Sequence, residues 1–374
     1  MKQLQFLTNW QDRMNSSQPL LVQILRAEQS LATLNARQWD LLVRQAARAK
    51  LIGTLYYRAE QENLLGQLPV GVMRHLESAK VKADKQYRDF LWEINRLKKA
   101  LVGLAGSPVL LKGAAYAAAQ LPPYKGRLFS DIDLMVPLDA IPVFEKQLML
   151  NGWLSEESNT YDQKYYRQWM HEIPPLRHVK RGSVIDLHHN ILPRTAFACP
   201  DPGMLLESAV ELVGDDSGFK VLSPLDRIIH SATHLFYDGE FEHGLRDLVD
   251  LERLVIVLDD DTRLLLVDRA WQLGLQKPVY YALRYLQLIL NVQGLSNALR
   301  KLEKAGDITG NMILMDALFL RALMPDHPSC DDQWTAVARW MLYMRSHYLR
   351  MPLHLLIPHL SRKAWIRLFG KEQH

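Results

Sequence analysis

Asp131 and Asp133 stand two residues apart in Asp131–Ile132–Asp133–Leu134–Met135–Val136, a run whose other members are apolar and strand-forming. Side chains alternate across a strand, so both carboxylates project from one face while Ile132 and Leu134 turn into packing. Two like charges there repel and raise at least one pKa; a divalent cation between them removes the repulsion, and hard oxygen donors suit Mg²⁺. The plain alternative is one Asp capping a turn beside another paired to Arg127. Upstream, Leu110–Leu111–Lys112–Gly113 runs a strand into a glycine and then an alanine-rich helix. That arrangement brings helix N–H groups and the Lys112 charge towards a phosphate. Downstream, Val184–Ile185–Asp186–Leu187–His188 is a second apolar strand carrying a single carboxylate, whose burial is costly unless it meets the same metal or a basic partner.

Further groups surround these three acids in the chain. His188 shares the Asp186 face and is placed to orient a metal-bound water or a phosphate, whereas His189 faces away. His230 and His234 have the i,i+4 spacing of a zinc pair on a helix, but the run His230–Ser231–Ala232–Thr233–His234 lacks the glutamate of the zinc-protease motif. Packing against the central unit is the expectation, with contact to a base or acceptor as the functional option. Asp247 and Asp250 share a helix face with Arg246 and Arg253 nearby, so ion pairing within the helix is the default and acceptor binding the alternative. Arg177, His178, Lys180 and Arg181 precede the Asp186 strand as a phosphate-facing hairpin or a solvated turn.

The elements that must hold these residues fall into three stretches. From about Leu20 to Leu101 apolar residues recur every three or four positions, which predicts a helical layer, with Ser78 to Lys99 as one long helix whose lysines form a solvated face. At Ser107–Pro108 the pattern changes to short strands at 109–111, 132–136, 184–187 and 219–222, with helices over 113–120 and 138–151. After Ser223–Pro224, an N-cap followed by proline at the first helical position, helices are expected over 225–237, 241–258, 262–273, 278–292, 311–323 and 333–349. The expected division is 1–100 helical, 101–222 a catalytic α+β unit on a small sheet, and 223–374 helical with a basic tail.

Composition limits what this architecture serves. With 374 residues, 48% hydrophobic and 23% charged, a peptide, a low-complexity chain and a largely disordered one are excluded. Two cysteines, Cys199 and Cys330, in no ligand spacing point to a cytoplasmic chain without disulfides. The 45 basic residues against 41 acidic give +4, too weak a balance over this length for long nucleic acid as main partner. Arg284 within 278–292 and Asp259 after Leu254–Leu258 interrupt the greasiest stretches, so no transmembrane segment is expected, and the polar residues from Asn9 to Arg13 break any signal-peptide core. The segment 345–374 interleaves Arg and Lys with Leu, Ile and Trp; it reads as a basic helix closing a soluble domain, with a membrane surface or polyanion as the other reading.

Strand, glycine turn, helix, a strand carrying Asp–apolar–Asp and a later strand carrying a third Asp resemble the polymerase-β-like nucleotidyltransferase superfamily. More closely, L-L-K-G-A-A at 110–115, R-x-x-S-D-I-D-L-x-V at 127–136 and I-D-L-H at 185–188 resemble an uncharacterised bacterial nucleotidyltransferase family, over about 100–260. The resemblance implies a small mixed sheet with helices and transfer of a nucleoside monophosphate from an NTP, such as ATP, to a hydroxyl acceptor with release of pyrophosphate. By that likeness Asp131 and Asp133 hold two Mg²⁺ ions, and Asp186 binds the second and helps deprotonate the acceptor. Lys112, Gly113 and Ala114 lie against the β/γ-phosphates, with Arg127 and Ser130 assisting.

Two departures stand out. The superfamily turn is glycine followed by serine or glycine, and here Gly113–Ala114–Ala115 lacks the hydroxyl. The 18-residue interval from Gly113 to Asp131 exceeds the common spacing and leaves a loop, Leu121–Arg127, to shape the acceptor or lid the nucleotide. The alternative reading is therefore a nucleotide- or ligand-binding protein on the same scaffold that no longer catalyses. A helical interaction module with an incidental α/β insert is the third, favoured if the three carboxylates lie far apart.

Overall fold

The structure, a computed structural model, describes residues 18–129, 131–155, 157, 159–214, 218–304 and 311–358. The proposed phosphate contact Ser130 and the end of the basic tail, 359–374, lie outside the described residues. The chain is a mixed α+β protein. Four helices come first: α1 (Leu20–Leu25), α2 (Ala36–Arg48), α3 (Ile52–Gln61) and the 31-residue α4 (Val70–Ala100). A reciprocal pair starts α2, with Asn35 Oδ1 accepting from Gln38 N–H and Gln38 Oε1 accepting from Asn35 N–H, both at 3.0 Å. Helix α4 begins eight residues before the expected Ser78; Lys80–Asp84 and Lys85–Asp89 ion pairs space its solvent side one turn apart.

The sheet has seven strands: β1 (Val109–Leu110), β2 (Asp131–Met135), β3 (Trp153–Ser155), β4 (Leu176–His178), β5 (Val184–His188), β6 (Val210–Glu211) and β7 (Lys220–Val221). Their spatial order is β3-β4-β5-β2-β1-β7-β6. Strands β2 and β5 are parallel neighbours at the centre, and β1 runs antiparallel to β2. Strands β3, β4 and β6, two or three residues each, are absent from the sequence expectation. Helices α5 (Lys112–Ala118), α6 (Ile141–Leu150), α7 (Thr160–Trp169) and α8 (Pro202–Glu207) connect the strands.

The C-terminal part holds α9 (Pro224–Tyr237), α10 (Gly244–Val255), α11 (Asp260–Gln272), α12 (Gln276–Leu290), α13 (Ser296–Lys304), α14 (Met312–Ala322) and α15 (Thr335–Arg350). Ser223 caps α9, its Oγ accepting from Asp226 N–H at 3.2 Å. Helix α12 ends two residues before the expected 292, because Asn291 adopts the left-handed conformation (φ 57°) that closes a helix. No helix among the described residues is long and apolar enough to cross a membrane.

The sheet divides the interior. Leu110, Ile132, Leu134, Ile185 and Leu187 point to one face and pack with Phe90, Ile94 and Leu97 of α4 and Phe144 and Leu148 of α6. Val109 and Met135 point to the other face and join a larger core that runs from Leu21, Leu42 and Leu55 near the N-terminus to Phe236, Leu286 and Phe319 near the C-terminus. The N-terminal and C-terminal helices thus share one apolar interior.

Candidate active site

The register of the central strands brings the acids together. Asp133 is directly opposite Asp186 across the parallel β2–β5 pair, and Asp131 lies two residues before Asp133 on the same face. One carboxylate oxygen from each of Asp131, Asp133 and Asp186 lies within 4.8 Å of the others. The interaction-module reading, which their separation would have favoured, loses that support.

Each acid has a different environment. Asp133 is 3% exposed, and its Oδ1 accepts from Lys112 Nζ at 3.0 Å and from His188 Nε2 at 3.0 Å. Burial opposes its charge, but the Lys112 ammonium and the His188 ring overcome it and hold the carboxyl well below the usual carboxylate range. At Asp186 the His188 charge acts in the same sense but is outweighed. The Asp186 Oδ1 is buried without a hydrogen-bond partner, and burial together with the charges of Asp133 and Glu172 pushes its pKa up to about 7. Burial and the charge of Glu172 also lift the Tyr166 hydroxyl of α7 to about 12, with a smaller contribution from Asp186. The expected pairing of an Asp in this strand with Arg127 is not what holds Asp133 in place.

Lys112 sits at the β1–α5 junction with φ of 44°, a left-handed conformation that an L-residue with a long side chain seldom adopts. Leu111 N–H donates to Asp133 O at 3.0 Å, so the backbone is fixed on β2 just before the Lys112 side chain returns to the Asp133 carboxylate. Gly113 follows, and a Cβ there would stand 2.6 Å from Arg127 Nη1 and 3.0 Å from Phe129 Cβ. The glycine thus admits the Arg127 side chain. Ala114 and Ala115 pack into the core beneath the sheet, and Ala114 does not line the cavity that Lys112 and Gly113 line.

That cavity, about 470 Å³, opens between the acidic sheet face and helices α4, α9 and α10. Its volume is in the range of small-molecule sites. Asp131 and Asp133 lie on one wall, and Lys50, Lys82, Lys112, Arg127 and Arg246 bring positive charge from five separate segments. Lys82, expected on a solvated face of α4, and Lys50, beyond the end of α2, carry no local pattern that marks them. Only packing brings them here.

Other expected residues fall into definite places. Arg127 Nε donates to Asp250 Oδ2 at 2.6 Å, its Nη2 lies 3.9 Å from Asp247 Oδ1, and its guanidinium stands 5.6 Å from the centre of the Tyr116 ring. Asp250 therefore pairs across the fold with the loop before β2 and not within its own helix, while Asp247 does accept from its neighbour Arg246 at 2.6 Å. His234 lines the cavity with Nε2 3.5 Å from Asp238 Oδ2, and His230 is buried, where burial keeps its ring neutral. Neither belongs to the two groups among the described residues that could share an ion, Asp131–Asp133–Asp186 and His171–Glu172–His188. Arg181 of the basic hairpin is tied to buried Glu93 of α4 at 2.9 Å and stacks on Trp153, so it is a structural brace. His189 Nε2 lies 3.2 Å from Met170 O, turned away from the acids as expected.

No curated protein and no solved structure matches this chain. A family model described as an uncharacterised nucleotidyltransferase matches residues 35–291, which span α2 to α12 and every element of the site. By that match over well more than half its length, the chain belongs to this uncharacterised nucleotidyltransferase family.

Proposed function

We propose that the chain transfers a nucleoside monophosphate from an NTP to a hydroxyl of a small molecule, sugar or peptide, releasing pyrophosphate. The observation that carries this reading is the convergence of Asp131, Asp133 and Asp186 on one sheet face beside a cationic cavity. The residues fit hard dications: three carboxylates lie within sharing distance, and the buried Oδ1 of Asp186 lacks any other partner. In this reading Asp131, Asp133 and Asp186 hold two Mg²⁺. When bound, such a pair stabilises the negative charge on the entering and leaving oxygens of an in-line displacement.

The chain's own residues do the rest. Lys112, Arg246, Lys50 and Lys82 receive the triphosphate, with charge-assisted hydrogen bonds standing in for the serine that Gly113–Ala114 lacks. Asp186 helps to take the proton as the acceptor oxygen bonds to the α-phosphorus and the bond to pyrophosphate breaks. Arg127, locked on Asp250, shapes the phosphate side of the cavity. The catalytic unit is 101–222 between helical flanks 1–100 and 223–374, working in the cytoplasm. The net charge of +4 favours a small acceptor over a long nucleic acid.

Titration calorimetry with each NTP, with and without Mg²⁺, tests this beside an Asp131→Asn/Asp133→Asn variant. Mg²⁺-dependent binding that the variant loses, followed by pyrophosphate release with an acceptor, is the expected result. Absence of NTP binding in every combination would overturn it. The second reading, a binding protein that does not catalyse, is favoured by the missing serine and by the partners Asp133 already has. Mg²⁺-dependent binding without pyrophosphate release across an acceptor panel would select it.

A further inference from the structure

On the far side of His188 from Asp133 lies a different donor set. One ligand atom each from His171, Glu172 and His188 falls within 4.8 Å of the others. The backbone fixes this group firmly. Glu172 forms an antiparallel bridge with His188, Ile173 N–H donates to Leu187 O at 3.0 Å, and His189 N–H donates to His171 O at 2.8 Å. His188 is 2% exposed, and its Nδ1 faces Glu172 Oε2 at 3.4 Å without making a hydrogen bond. The Nδ1 of His171 is likewise buried and has no partner, with the two rings 5.3 Å apart. A buried His171 nitrogen with no partner, next to a His188 nitrogen that meets only the Glu172 carboxylate at ion-pair distance, is costly unless something accepts its lone pair.

We propose that His171, Glu172 and His188 form a second metal site, selective for a transition dication of the zinc type and joined to the carboxylate site through the His188 ring. Two imidazoles and one carboxylate are a zinc donor set with a coordination position left open, whereas Mg²⁺ takes oxygen ligands and disfavours such a site. The remaining ring nitrogen of His188 already meets Asp133 Oδ1 at 3.0 Å, the carboxylate–histidine–metal arrangement that fixes a ligand's tautomer and orientation. A metal on Nδ1 keeps the proton on Nε2 and so holds Asp133 Oδ1 in place, leaving Oδ2 for the face it shares with Asp131 and Asp186. Zinc is here a positioning ion, set apart from the oxygen-donor site by one imidazole ring.

The test uses the full chain, stripped with a chelator and titrated with Zn²⁺ against a chromogenic competitor, and with Co²⁺ for its visible absorption. One Zn²⁺ per chain that excess Mg²⁺ does not displace is expected, with a Co²⁺ spectrum typical of nitrogen-containing low-coordinate sites. Removing a ligand in His171→Ala or Glu172→Gln should weaken Zn²⁺ by more than the roughly 10–100-fold that loss of an outer partner costs, while Asp131→Asn leaves it unchanged. Glu172→Gln, at a partly exposed side chain, serves if His171→Ala does not fold by circular dichroism. No tight Zn²⁺ on the folded chain, displacement by Mg²⁺, or loss in Asp131→Asn with retention in both ligand variants would overturn the site. None of these outcomes depends on NTP binding, so the second site and the proposed reaction fail separately.

Discussion

At the residue scale, the two acids that face each other across β2 and β5 are unequal because only Asp133 is bonded directly to Lys112 and His188. Folding raises the Asp186 pKa from 3.8 to about 7, so the folded chain holds that proton more tightly than the unfolded one. Its contribution to stability therefore falls as pH rises through that window, by on the order of a few kcal/mol. Glu252 shifts in the same direction, so the comparison must be with a variant and not with a flat baseline. In thermal melts without metal, Asp186→Asn should gain on the wild type between pH 4 and 7 and level off above; a constant difference would contradict the assignment. Metal binding requires the ionised form, so Mg²⁺ affinity should climb through about pH 7 in the wild type. Lys112 is the counterpart: its ammonium competes with a dication for Asp133. Lys112→Met should tighten Mg²⁺ by about tenfold, one interaction of ~1.4 kcal/mol, yet weaken NTP. Parallel loss of both in calorimetry would show that Lys112 only supports the fold.

At the element scale, the loop before β2 is fastened from two sides. Asp250 is buried and Arg127 mostly so, and Arg127→Ala leaves an uncompensated charge and should cost about 3–5 kcal/mol in urea unfolding. Asp250→Ala on that background should recover part of the loss, since a double-mutant cycle separates the pair from its orphaned partner. A loss under about 1 kcal/mol in the single variant would deny the brace. On the other side, a Cβ at Gly53 of α3 would stand 2.3 Å from Gly126 O, and Gly126 itself has φ of 75°. Backbone meets backbone there, so no side chain can yield. Gly53→Ala should destabilise by about 1–3 kcal/mol and weaken nucleotide binding by displacing Arg127, read by melting and calorimetry together.

At the scale of the whole molecule, the apolar interior is shared by helices from both ends of the chain and by one face of the sheet. A shared core unfolds with its parts coupled. Scanning calorimetry of the full chain should give a single transition with agreeing calorimetric and van't Hoff enthalpies; two resolved transitions would show that the helical parts are separable. The same architecture explains why cations reach the cavity from segments as distant in sequence as Lys50 and Arg246.

The sequence by itself determined the acids and their strands. Alternation put Asp131 and Asp133 on one face, and the lone Asp186 in an apolar run marked the third; such signals are local and survive without a fold. Helices with caps, such as α9 after Ser223–Pro224, were equally legible. Only the tertiary structure decided that Asp250 answers Arg127, that Lys82 and Lys50 line the cavity, and that Ala114 does not. It alone set His171 and Glu172 beside His188, through a single bridge between segments with no shared pattern. Pair partners across a fold depend on which faces pack, and packing is a property of the whole chain that local periodicity does not encode.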